Sequence, residues 1–142
     1  MNHLKINHLA VLVCVILLHA IGFLWYGQLF RETWMSMVGL DSQSTQSGGG
    51  EAGLWITNFI ATLAPVYLFA WLFTKLDVTS GLRGAALAFI ITFCVHHLPV
   101  MSGNMFAGEH YGLAWITGGF SLVGMTISGF ILGAWTKRET SR

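Results

Sequence analysis

Charge is what this chain has least of. Only 9% of its 142 residues are Asp, Glu, Lys or Arg, against about a quarter in soluble domains. Proline and cysteine are scarce as well, with two of each. Each shortage excludes something. So few charges cannot coat a soluble fold of this size. A net charge of +1 offers no basic surface for nucleic acid. The cysteines, Cys14 and Cys94, both sit inside apolar runs. Antiparallel spans would separate them in depth by roughly 9 Å at about 1.5 Å of rise per residue, beyond the ~7 Å between Cα atoms that a disulfide tolerates. Two free, buried thiols are expected. The carboxylates Asp41, Asp77, Glu32, Glu51, Glu109 and Glu139 all fall in polar breaks or tails, so no acid pair lies within an apolar run. Gly48-Gly49-Gly50 lacks the Lys and Ser/Thr of a phosphate loop, and Ser121 and Ser128 lack an activating signature. No residue set for catalysis emerges, and the chain reads as non-enzymatic.

Apolar sequence is what the chain does have. Hydrophobic residues make up 54% of it, mean hydropathy is +0.65, and the apolar residues gather in four runs at about 9–30, 54–74, 82–100 and 113–135. A run of about 20 such residues spans the ~30 Å hydrocarbon core of a bilayer as a helix. The expectation is a single all-α domain over residues 1–142, an integral membrane four-helix bundle whose first partner is the lipid bilayer.

The first run, LAVLVCVILLHAIGFLWYGQLF, continues past Ala20 for longer than a signal peptide's apolar region. It then meets Trp25, Tyr26 and Trp34 as interface anchors, and is expected to stay as a span. Phe30 to Met35 alternates polar and apolar residues, which predicts a short amphipathic helix lying in the outer interface after the first span. Ser, Gln and Gly dominate 41–53, predicting a flexible loop. Pro65 falls inside the second run, and Pro99 is expected to end the third or loosen its last turn. Lys5, Lys75, Arg83, Lys137, Arg138 and Arg142 fall on one side of the four spans and only Arg31 on the other. The positive-inside rule then puts both termini in the cytoplasm.

Polar residues inside the spans are the functional candidates. His19 is the one ionisable side chain in the middle of the first span, and intramembrane polar groups invite a functional reading. In the third span Ala85, Ala88, Thr92 and His96 recur at three- and four-residue spacing and so share one face. His19, Asn58, Thr92 and His96 would then line an intrabundle polar face able to pass protons or a small solute. In the last span Ser121, Gly124 and Ser128 form a small-residue stripe, and Gly129 and Gly133 a GxxxG pair, both suited to close helix packing. No cofactor is expected. The alternative is a metal or haem protein for electron transfer or metal handling, with His96, His97, Met101 and Met105 offering soft ligands to copper, or His19 and His96 pairing on a haem. A small homo-oligomer, or an accessory to a larger membrane partner, is the expected assembly.

The opening IN-H-LAVLV, the span exit GFLWYGQLFRETWMSMVGL and the closing GFILGAW at Gly129 to Trp135 carry a resemblance. The chain resembles a widespread bacterial membrane family catalogued as domain of unknown function 1761, over nearly its whole length and in the same order of four spans. That resemblance implies a four-span fold in a bacterial cytoplasmic (inner) membrane, and it implies no activity.

Overall fold

A computed structural model describes residues 4–39 and 51–138. Five helices account for nearly all of them: α1 His8–Leu29, α2 Arg31–Val38, α3 Glu51–Lys75, α4 Gly81–Phe106 and α5 Tyr111–Ala134. All but α2 are long and apolar enough to cross a membrane. The chain is therefore an all-α, multi-pass protein.

Element boundaries depart from the sequence reading at two places, for local reasons. Helix α3 begins at Glu51, so the end of the expected 41–53 loop is already helical, while residues 41–50 lie outside the described residues. Helix α4 does not stop near Val100 but passes Pro99 and reaches Phe106. A wide π-turn over Phe93–His97 interrupts α4, and the regular helix restarts at Leu98. Pro99 stands just past that wide turn, where the regular ladder its missing N–H would have joined is already interrupted. The break between the third and fourth apolar runs, residues 101–112 by sequence, shrinks to residues 107–110.

The two ends of the described chain meet at one end of the bundle. Leu4–Lys5 (β1) pairs antiparallel with Lys137–Arg138 (β2), Leu4 opposite Arg138 and Lys5 opposite Lys137. Asn7 reinforces the junction. Its side-chain oxygen accepts the Ala10 N–H at 3.3 Å, capping α1, and its amide donates to the Trp135 carbonyl at 3.1 Å. The α3–α4 turn closes on the same end, where Val78 shares a small pocket with Leu4 and Trp135. Lys5, Lys137 and Arg138 thus collect beside the turn that carries Lys75 and Arg83.

Helix α5 is the hub, packed along α4 and touched by α1 and α3. Lipid tails are as apolar as side chains, so association rests on close van der Waals fit. At the α4–α5 contact that fit is between backbones. A Cβ on Gly129 would stand 2.5 Å from the Ala88 methyl and 2.6 Å from the Gly84 carbonyl, and one on Gly133 would meet the Ser80 carbonyl at 2.5 Å. Gly124 and Ser128 face α1 instead: Leu18 covers Gly124, and the Cys14 thiol lies 3.8 Å from the Ser128 carbonyl. Cys14 is buried and Cys94 exposed, both free, so the expectation of two buried thiols is corrected at Cys94.

The remaining core, including Val15, Val66, Phe69, Phe73 and Met125, lies toward the end where β1 and β2 pair. Toward the other end the bundle opens. Side chains 52–61 of α3 are all exposed, and full burial begins at Val66, one residue past Pro65. There α2 folds back over the start of α5, with Met37 against Gly112 and Gly39 ending the helix at a positive φ of 69°.

Candidate functional site

The opening of the bundle creates a cleft of about 740 Å³ between α1, the N-terminal half of α3 and α5. Its walls follow from two helical stripes. His19, Gly22 and Tyr26 recur at three and four residues on α1, and Trp55, Asn58 and Thr62 do so on α3, so each set shares one face. Phe120 of α5 forms the back wall, its ring 3.5 Å from where a Cβ on Gly22 would sit and 5.5 Å from the Tyr26 ring.

His19 is half-buried, and its Nδ1 lies 2.8 Å from the Val15 carbonyl one turn back. A carbonyl only accepts, so Nδ1 carries a proton, and Nε2 offers a lone pair in the uncharged form of the ring. Phe59 of α3 lies tilted against the same ring at 6.1 Å between centroids. On α3 the Thr62 hydroxyl donates to the Asn58 carbonyl at 2.9 Å, a bond internal to the helix. It leaves the Asn58 amide group on the cleft wall.

Of the expected polar face, the structure brings His19 and Asn58 into one cleft and leaves Thr92 and His96 elsewhere. Thr92 is buried in the α4–α5 contact. His96, expected to point inward, is exposed, with Nε2 3.1 Å from the Ser121 hydroxyl. His97 takes the inward place and is 0% exposed. The π-turn is the cause. Buried positions on α4 run Gly81, Gly84, Ala88 and Thr92, then step five residues to His97. One added residue rotates the remainder of the helix by about 100°, the angle separating His96 from His97.

The expected soft-metal set does not converge either. His97 lies between Phe93 and Trp115, with centroids at 5.4 and 4.7 Å, and neither ring nitrogen has a hydrogen-bond partner among the described residues. Met101 and Met105 line a separate shallow groove farther along α4. Among the described residues no three His, Cys, Asp or Glu side chains gather closely enough to hold an ion. A haem pairing of His19 with His96 is not assembled, since His19 faces α3 and His96 bonds to α5.

The aromatic residues expected as interface anchors also make specific joints. The Trp25 indole N–H donates to the Ile116 carbonyl at 2.9 Å, and its ring lies 4.8 Å from Phe30. Tyr26 contacts Trp34 edge-on at 5.5 Å, which locks α2 to the end of α1. The cleft members that the sequence reading passed over, Trp55, Thr62 and Tyr26, carried a signal in their three- and four-residue spacing from Asn58 and His19. His97 carried none, because its burial depends on the π-turn.

The model of a protein family of unknown function, DUF1761, matches residues 9–133, and the chain belongs to that family. No curated protein and no solved structure matches the chain.

Proposed function

We propose that this member of the DUF1761 family is a non-enzymatic component of a bacterial cytoplasmic membrane whose α1–α3 cleft takes up a small amphipathic molecule sideways from the lipid. The observation that carries this reading is the cleft itself, with His19 and Asn58 on facing walls, Thr62 and the Tyr26 phenol beside them, and aromatic and aliphatic groups making up most of the rest. Binding clefts combine apolar walls with a few placed polar groups in this way, and polar residues within a span are costly enough to call for a use. The chain termini and the α3–α4 turn lie in the cytoplasm in this reading. Support comes from Lys5, Lys75, Arg83, Lys137 and Arg138 at that end, against Arg31 at the other.

Native mass spectrometry of the detergent-solubilised chain tests it. Gly22→Leu places a side chain in the cleft against Phe120, and circular dichroism checks that the helices persist. The native chain is expected to retain one small-molecule adduct that the variant loses. Identical spectra from two equally helical proteins would overturn the reading.

A further inference from the structure

The cleft's polar groups specify more than occupancy. Resting on the reading that the cleft binds a lipidic molecule, we infer that its ligand is an uncharged lipid alcohol, a long-chain prenol or an acylglycerol with a free hydroxyl, and not a charged lipid. Three observations carry this.

Among the described residues, those lining the cleft include no Asp, Glu, Lys or Arg. A phosphate or carboxylate drawn in would leave water without gaining a countercharge, an unfavourable exchange at membrane depth.

The donor and acceptor inventory comes next. With its Nδ1–H given to the Val15 carbonyl at 2.8 Å, the His19 ring in its uncharged form has only the Nε2 lone pair to offer, and so calls for a donor on the ligand. Thr62 has already given its proton to the Asn58 carbonyl at 2.9 Å. The Asn58 amide can donate and accept. A hydroxyl, one donor with two acceptor lone pairs, suits both groups. A ketone or ester alone supplies no proton for His19.

Depth is the third. His19 precedes Trp25, the joint at the bundle's open end, by six residues, about 9 Å along the helix. The polar group of the ligand therefore sits below the interface, where a neutral hydroxyl can go and a phospholipid head cannot. Trp55, Phe23 and Phe120 supply apolar wall for its chain.

The experiment uses the full chain in phosphatidylcholine vesicles, each doped with one brominated probe of matched chain length: a long-chain alcohol, a fatty acid, or phosphatidylcholine brominated in its acyl chains. Bromine quenches indole fluorescence on contact. The signal of Trp55 is taken as the difference between the native chain and Trp55→Phe. The alcohol is expected to quench Trp55 at about one tenth the mole fraction that the other two require. His19→Ala and Asn58→Ala should each raise that fraction by about tenfold, the loss of roughly one hydrogen bond. If the three probes quench alike in the native chain and Gly22→Leu abolishes all three, the cleft binds but the ligand class is wrong. If His19→Ala leaves the alcohol's curve unchanged, the class is wrong as well. If Gly22→Leu changes nothing for any probe, both the class and the cleft reading fall.

Discussion

The imidazole of His97 occupies the space that a Cβ on Gly118 would need, so α4 and α5 meet there ring against backbone. Two residues distant in sequence thus require one another: glycine at 118 admits the ring, and the π-turn at Phe93–His97 delivers it. Gly118→Ala should therefore destabilise the chain by about 1–3 kcal/mol, the usual cost of overpacking. In a His97→Ala background most of that cost should vanish. Unfolding titrations of the four proteins of this double-mutant cycle in detergent check it, and additive losses would contradict the contact.

The Gly84–Gly129 approach sets the separation of α4 and α5. Gly129→Ala, which pushes a methyl onto Ala88 and the Gly84 carbonyl, should cost about 2 kcal/mol or more, because rigid backbone cannot yield as a side chain does. Gly103→Ala is the control. A Cβ there meets nothing within 4 Å, and alanine's helix preference should leave stability unchanged or raised by up to about 1 kcal/mol. Melting temperatures of both variants in one detergent decide the point.

Ser128 is fully buried, and its hydroxyl has no hydrogen-bond partner among the described residues. Removing an orphaned hydroxyl removes its desolvation cost. Ser128→Ala is expected to raise the melting temperature slightly, or at worst to leave it alone. A fall corresponding to more than about 1 kcal/mol would mean that the hydroxyl has a partner in the membrane.

Trp25 joins the end of α1 to α5 through its indole N–H and the Ile116 carbonyl. Trp25→Phe keeps an aromatic ring and deletes the donor. The expected loss is about 0.6–1.5 kcal/mol, the range for single hydrogen bonds in membrane and soluble proteins. Amide hydrogen exchange should rise in the last turns of α1 and the first turns of α5 and stay level at the β1–β2 end.

Topology has its own test. Glu109 lies in the α4–α5 turn and Thr136 just past α5, so the full length of a spanning helix separates them. In a Cys94→Ala background, Glu109→Cys should react with a membrane-impermeant maleimide in intact cells, and Thr136→Cys only after lysis. Labelling of both from outside would contradict four crossings with the termini in the cytoplasm.

The site was legible in the sequence only in part, and the split has a physical origin. His19 and Asn58 stood out because polar side chains are rare in apolar runs, and that rarity holds whatever the helices do next. That they share a face was expected, but that the face opens into a cleft was not legible, since it depends on α3 leaving the bundle on the N-terminal side of Pro65. His96 was placed inward on the assumption of a regular 3.6-residue period, and one added residue in the π-turn defeats any such periodicity argument. The metal reading of His96, His97, Met101 and Met105 rested instead on their gathering at one end of the bundle, and at that end one ring is buried, the other exposed, and the two methionines line a separate groove. The small residues of the last span declared themselves as packing surface, yet nothing in their spacing assigned Gly124 and Ser128 to α1 while giving Gly129 and Gly133 to α4.

By itself the sequence determined the solvent this chain lives in, its four long helices and their order, because hydrophobic length and the scarcity of charge are local quantities summed along a run. Tertiary structure alone decided which face of each helix is covered, that His97 and not His96 is buried, and that α1 and α3 part to leave a polar-lined cleft. Those outcomes turn on register, and register is set where helices touch: by a wide turn that shifts one residue, by glycines that admit a neighbour's backbone, and by a proline after which burial begins.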